Sequence, residues 1–395
     1  MGSAQTVGEG LFDNVGRGYV HVLENGIIWD GAILIDNGKI QKVGNRNDMD
    51  IPANAHVIDA KGAYVGPGFV DLHVHGGVGH RLFNEPKKVA AHFLKHGETS
   101  ILASWSGAYT YEETLQGIRN VKEAMGTVKN IKGINMEGPY MNTNYGAWKN
   151  LEMWYSGKID EKHYKVIVDE LGDTVKLWSI APEREGIMPF VEYARKVNPN
   201  VVFSVGHSEA TPEQIRNLGT KYRPKLTTHI MDATGRQMGD SGGIRGYGPD
   251  EYCMADNEMY AELISDFYGV HVHSDLQRMI VKNKGIYRVV LITDSTNYDG
   301  KNPEEFAHVD DLCFNDLGRL AGSKLTLDKA CRNVMKHTNC GIAQAFIMAS
   351  LNPAKVIGMD DKIGSIEPGK FADLVFVDDK FNVQQVMVGG EICEF

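Results

Sequence analysis

Short apolar runs, each closed by a histidine or an acid and separated by stretches of helical spacing, fill the middle of this 395-residue chain. Residues 132–136 run into Glu137, 201–206 into His207, 225–228 into His229, 267–270 into His271 and 287–293 into Asp294. Such runs lack polar alternation, which marks strands buried on both faces of a parallel sheet. Parallel strands need crossover helices, and a barrel of this kind collects the polar residues that follow its strands at one rim. The expected fold class is α/β, a (β/α)8 TIM-like barrel. Amphipathic spacing predicts helices from Asn84 to His96 and from Thr110 to Met125, the second with Thr110 and Glu113 at capping-box spacing. A last helical pair is expected over Leu325 to His337 and Cys340 to Ser350, breaking before Asn352-Pro353.

The chain ends have a different texture. Runs at 19–23, 32–36 and 39–44 alternate with turn signals, and Asn37-Gly38 between two of them is a two-residue hairpin signal. Short strands with glycine turns return over 364–377 and 383–392. A small β-sandwich domain formed by both chain termini, 1–65 plus 359–395, is therefore expected, with the barrel occupying 66–358.

Composition narrows the function classes. Hydrophobic residues are 42% and charged residues 23%, a globular balance, and a formal charge of −10 argues against nucleic acid or an anionic membrane as partner. The five cysteines are scattered, with no Cys-x-x-Cys pair, and read as reduced core thiols in a cytoplasmic protein. No basic segment followed by an apolar stretch opens the chain, and no apolar run is long enough to span a membrane. The Gly-rich stretch from Gly235 to Gly248 lacks phosphate-loop spacing and is expected to lie as a loop over the barrel mouth.

The chemistry starts at Gly66-Pro67-Gly68-Phe69-Val70-Asp71-Leu72-His73-Val74-His75. Residues two apart on a strand face the same side, so His73 and His75 can offer two imidazoles to one ion. Taken singly, His229 fits a core histidine, Glu137 a strand end and Asp294 an N-cap or turn residue; their order at successive strand ends joins them. Neutral histidines with one carboxylate hold a divalent cation and leave a position for water, lowering its pKa from ~15.7 toward ~7. An aspartate that is not itself a ligand can then shuttle the proton to a leaving amine. Asp294 is the candidate.

Pro67 to Gly76, Glu137-Gly138-Pro139-Tyr140, Ala181-Pro182-Glu183, Gly206-His207-Ser208, Thr228-His229, Gly269 to His273, Thr293-Asp294 and Leu320 to Ser323 together resemble the N-acetylglucosamine-6-phosphate deacetylase family of the amidohydrolase superfamily. The likeness spans essentially the whole chain. It implies Glu137, His207 and His229 as ligands of a principal metal, with His73 and His75 adding a second position. One or two divalent ions, Zn, Fe, Mn or Co, are implied as cofactors. His271 would touch the substrate and polarise the scissile carbonyl, Asp294 would act as catalytic base and acid, and Leu320, Ala321, Gly322 and Ser323 would line the sugar pocket. A small-molecule substrate, an N-acetyl amino sugar carrying phosphate, and a homodimer are implied as partners.

Departures from the family pattern concern the substrate shell. Asp232 stands where the family has an asparagine that helps hold the phosphate, followed by Ala233, and a carboxylate repels a phosphate dianion. The family's phosphate-binding arginine has no clean match; Arg245 is the nearest candidate and Arg236 the second. Trp148 puts an aromatic face where a polar residue is usual. An unphosphorylated or differently charged substrate is therefore an alternative, as is a non-catalytic scaffold, although every expected metal ligand is present.

Overall fold

Eight strands pair side by side, all parallel: β1 (Val70–Val74), β2 (Ser100–Ser104), β3 (Ile131–Glu137), β4 (Val175–Ile180), β5 (Val202–Val205), β6 (Leu226–Thr227), β7 (Tyr260–Ile264) and β8 (Val289–Ile292). A parallel bridge from Val74 to Ser295 joins the exit of β8 to that of β1, so the sheet curls almost into a closed barrel. This computed structural model describes residues 10–13, 19–23, 26–52, 55–147, 149, 151–235, 246–298 and 300–395. Trp148, Arg236 and Arg245, with most of the Gly-rich stretch, lie outside the described residues.

The local signals of the sequence act as their physics requires. The helix Tyr111–Met125 starts on the expected capping box: Thr110 Oγ1 accepts from Glu113 N at 3.2 Å, and Glu113 Oε2 accepts from Thr110 N at 2.8 Å. Asn37 and Gly38 take φ of 49° and 74°, the left-handed pair a tight hairpin turn requires, and join Gly31–Asp36 to Lys39–Asn45. Those strands and Gly10–Asp13 and His56–Asp59 make one four-stranded sheet. A second combines Tyr64–Pro67 with Leu374–Val377, Val383–Val388 and Glu391–Ile392, so the C-terminal strands complete a sheet begun at the N-terminal side. Ile33, Ile35 and Ile40 of the first share a buried cluster with Val65, Leu374, Phe376 and Met387 of the second, the face-to-face packing of a β-sandwich.

Two expectations fail. Phe267–Val270 is no strand; β7 lies earlier, at Tyr260–Ile264. Buried Glu262 in its middle interrupts the apolar run that marks the other strands. Residues 267–271 turn instead because the Asp266 carboxylate accepts the N–H groups of Tyr268, Val270 and His271, and Gly269 sits at φ 70°. The chain also does not break before Asn352-Pro353. A wide π turn over Ile347–Leu351 carries the helix through to Val356, tolerating the N–H that Pro353 lacks, while Asn352 Nδ2 donates to Ile286 and Val289 carbonyls at 2.6 Å each.

Barrel and C-terminal segments meet on an aromatic cluster. The Phe346 ring lies 5.5 Å from Phe69, just before β1, and 5.1 Å from Phe381, and all three are buried. Phe346→Ala is expected to cost about 3–5 kcal/mol of stability. Denaturant unfolding of the purified variant measures it; a loss under about 1 kcal/mol would show that this contact does not hold the segments together.

Candidate metal centre and active site

All eight strands point the same way, so residues at or just past their C-terminal ends converge. His73 is on β1 with His75 just beyond it, Glu137 closes β3, and His207, His229 and Asp294 each follow β5, β6 and β8 by two residues. His207, His229 and Asp294 adopt positive φ, 45°, 26° and 48°, a conformation costing on the order of 1–3 kcal/mol that turns each side chain back over the barrel axis.

These residues form two groups that could hold a metal ion, Glu137 with His207 and His229, and His73 with His75 and Asp294. In the first, Glu137 Oε1 lies 3.0 Å from His207 Nε2 and 2.9 Å from His229 Nε2, and the two nitrogens are 3.1 Å apart. A tetrahedral cation with ligand bonds of about 2.0–2.1 Å needs ligand atoms about 3.3 Å apart, so the donor set fits. In the second, His75 Nε2 is 3.1 Å from His73 Nε2 and 3.2 Å from Asp294 Oδ1. Glu137 links the groups, its Oε2 lying 3.1 Å from His75 Nε2.

The outer ring nitrogens orient the inner ones. His207 Nδ1 donates to the Tyr145 carbonyl at 3.3 Å, His229 Nδ1 to the Asp232 carbonyl at 3.2 Å, and His73 Nδ1 to Glu262 Oε2 at 3.4 Å. Each acceptor selects the tautomer whose Nε2 lone pair faces the centre. Burial disfavours charge here, yet Glu137 pushes His229 up to about 10 and holds His73 well above the usual histidine range. In return the histidines keep Glu137 well below the usual carboxylate range despite its burial. The cluster is built to surround positive charge.

Asp232, Ala233, Leu320, Ala321 and Gly322 line the adjoining pocket together with Glu137, His75, His207, His229 and Asp294. Ser323 does not; its buried hydroxyl donates to the Thr293 carbonyl at 2.6 Å. His271 is buried, with Nδ1 on Asp266 Oδ2 at 3.2 Å and no hydrogen-bond partner for Nε2 among the described residues. Gly322 has φ 70°, and a Cβ there would come 2.4 Å from the Asp294 carbonyl oxygen, so no other residue lets this strand approach the acid.

Several residues take supporting roles that sequence reasoning did not assign, although Asp71 and Glu183 stand in the motifs it quoted. Glu262 serves both groups, since its Oε2 also accepts from His229 N at 3.3 Å. Asp71 ties β1 to β8 by accepting from His73 N at 2.9 Å and Thr293 Oγ1 at 2.5 Å, one residue before Asp294. Glu183 holds the turn after His207 through Ser208 Oγ at 2.7 Å and Glu209 N at 2.8 Å. Tyr155, Tyr298 and Ser106 line the pocket. A carboxylate inside an apolar run, as at Glu262, is a signal that could have pointed here.

A family model described as the amidohydrolase family matches residues 64–393. The chain belongs to the amidohydrolase family. N-acetylgalactosamine-6-phosphate deacetylase of Escherichia coli O157:H7 is 28% identical to it over 392 residues, covering 94% of this chain and 97% of that protein. N-acetylglucosamine-6-phosphate deacetylase of Haemophilus influenzae is 28% identical over 387 residues, covering 92% and 95%. The crystal structure of N-acetylglucosamine-6-phosphate deacetylase from Pasteurella multocida superposes with a TM-score of 0.82 at 25% identity, covering 98% of this chain and 99% of that one. The amidohydrolase barrel is thus the observed fold, and amidohydrolases typically use a divalent metal.

Two variants test the geometry. In Glu262→Gln, metal affinity at the His73 and His75 position is expected to fall about 10–100-fold, read as metal retained after graded chelator dialysis. Unchanged retention would remove Glu262 from the metal's support. Gly322→Ala is expected to keep metal at the Glu137, His207 and His229 group yet lose about 10²-fold in turnover through displacement of Asp294; full activity would show that the strand can yield.

Proposed function

We propose that this amidohydrolase removes the acetyl group of an N-acetyl amino-sugar 6-phosphate, N-acetylglucosamine-6-phosphate first. The observation that carries the proposal is the placing of Asp294, 3.2 Å from His75 Nε2 and at the wall of the pocket that both ligand groups share. The full-length likeness to sugar-phosphate deacetylases supports the substrate class.

Glu137, His207 and His229 would hold the principal cation, with His73 and His75 beside Asp294 offering a second position. The residues suit Zn, Fe, Mn or Co, with availability deciding among them. Bound there, a divalent ion lowers the pKa of water and polarises an amide oxygen. Asp294 takes the proton of the attacking water and returns it to the nitrogen of the leaving amino sugar, which must be protonated to depart. His271, held through Nδ1 by Asp266, directs Nε2 to the acetyl carbonyl oxygen as hydrogen-bond donor. Leu320, Ala321 and Gly322 border the sugar. On the family resemblance we infer a homodimer in the cytoplasm, and we place the domain boundaries near residues 65 and 358. No helix among the described residues is long and apolar enough to cross a membrane.

One observation favours a second reading. The described residues lining the pocket include no lysine or arginine, while Asp232 is among them. That wall suits an unphosphorylated N-acyl sugar, or another neutral amide, better than a dianion.

Amine release from N-acetylglucosamine-6-phosphate, N-acetylgalactosamine-6-phosphate and their unphosphorylated sugars separates the readings. Preference for a phosphorylated sugar is expected; turnover confined to the unphosphorylated ones would select the second, and silence with metal bound would overturn the first and point to a hydrolase for a different amide. Asp294→Asn is expected to keep fold and metal and lose about 10²–10⁴-fold in turnover, whereas His207→Ala is expected to lose metal. Full activity of the first, or full metal content of the second, would displace that residue from its role.

A further inference from the structure

A second cavity, of about 790 Å³, opens at the opposite end of the barrel. Its wall comes from strand starts: Lys132 is the second residue of β3, Lys176 the second of β4, Val202 the first of β5, and Lys225 immediately precedes β6. It is therefore separate from the metal centre by the length of the strands.

The charge lining it is one-sided. Lys132, Lys176, Arg195, Lys221, Lys225 and Lys362 face it, and among the described residues none of the six has a carboxylate at ion-pair distance. Arg223 also lines it and pairs with Asp256 and, at 3.0 Å, with Glu258, which among the described residues is the single carboxylate of the wall. In a chain of formal charge −10, such a concentration of cations is not a by-product of composition.

Carbonyls, not acids, hold several of these cations. Lys225 Nζ donates to the Lys355 and Val356 carbonyls at 2.6 and 2.9 Å, Lys132 Nζ to the Lys129 carbonyl at 2.8 Å, and Arg195 Nη1 to the Pro199 carbonyl at 3.1 Å. Arg195 Nε is buried with no hydrogen-bond partner among the described residues. Burial holds Lys225 and Lys132 below the usual lysine range, against the weaker pull of Asp360 and Asp373. A low-dielectric cleft lined by one sign of charge concentrates counter-ions. Phe203, Met259, Ile357 and Met359 add an apolar wall, and the volume falls within the ~300–1,000 Å³ of small-molecule sites.

We propose that this cavity is a second binding site for a multiply phosphorylated small molecule, a nucleoside diphosphate or a compound of like build, whose phosphoryl groups meet the six cations and whose organic body lies on the apolar wall. Arginine and lysine donors both suit phosphoryl oxygens. The site stands independently of the substrate assigned to the metal centre.

Calorimetric titration of the metal-replete full chain with inorganic pyrophosphate and with ADP, at physiological salt, tests the proposal. Saturable binding with Kd below about 1 mM is expected for each. The variant Lys176→Ala/Lys221→Ala/Lys362→Ala changes only side chains with some solvent access, and is expected to bind at least about tenfold more weakly. Lys176→Arg/Lys221→Arg/Lys362→Arg should restore binding, separating lost charge from lost fold. Pyrophosphate could also reach the metal centre, but the alanine variant leaves that end intact. Binding unchanged in that variant, or no saturable binding at all, overturns the proposal, as does binding of a single-stranded oligonucleotide in preference to both probes.

Discussion

Parallel closure of the barrel is the constraint from which the rest follows. Because β1 to β8 run in one direction and the Val74 to Ser295 bridge brings the last exit beside the first, groups separated by more than 200 residues in sequence share one small volume. Asp71 shows the dependence directly, since its carboxylate accepts from both His73 and Thr293 and so ties the two strands at the seam. Without closure the histidines of β1 and the acid after β8 would sit at opposite edges of an open sheet.

Convergence creates an electrostatic problem that the site solves internally. Four histidines and two carboxylates lie within reach of one another in a largely buried rim. Bare charges there would be costly to bury, so acids stand against imidazoles at the centre, and carbonyls or Glu262 against the outer ring nitrogens of His207, His229 and His73. Those outer bonds orient the rings before any ligand arrives, and preorganisation of this kind is where enzymes draw much of their rate advantage. The left-handed φ values at His207, His229 and Asp294 belong to the same arrangement, strain held in place by the packed strands below.

The two ends of the barrel carry opposite charge character. Acids and histidines crowd the C-terminal rim, while lysines and arginines, all but Arg223 without an acid at ion-pair distance among the described residues, crowd the N-terminal one. A phosphorylated molecule therefore meets a more favourable field below the barrel than at the described wall of the pocket above, where Asp232 stands.

Much of this was legible from residues alone, wherever a local rule decides the outcome. Apolar runs ending in Glu137, His207, His229 and Asp294 became β3, β5, β6 and β8, and Thr110 with Glu113 capped a helix, because strand burial and end-capping depend on neighbours in sequence. Illegible were β7, whose Glu262 looks wrong for a strand until the His73 ring opposite it is seen, and the continuous helix through Pro353, which rests on Asn352 reaching β8. The sequence by itself determined the strand-end chemistry and its order. Only the tertiary structure decided that Glu137 lies between two ligand groups, that Gly322 admits the backbone of Asp294, and that six cations with no acid at ion-pair distance among the described residues face one cavity, because each is a distance between segments that share no neighbourhood along the chain.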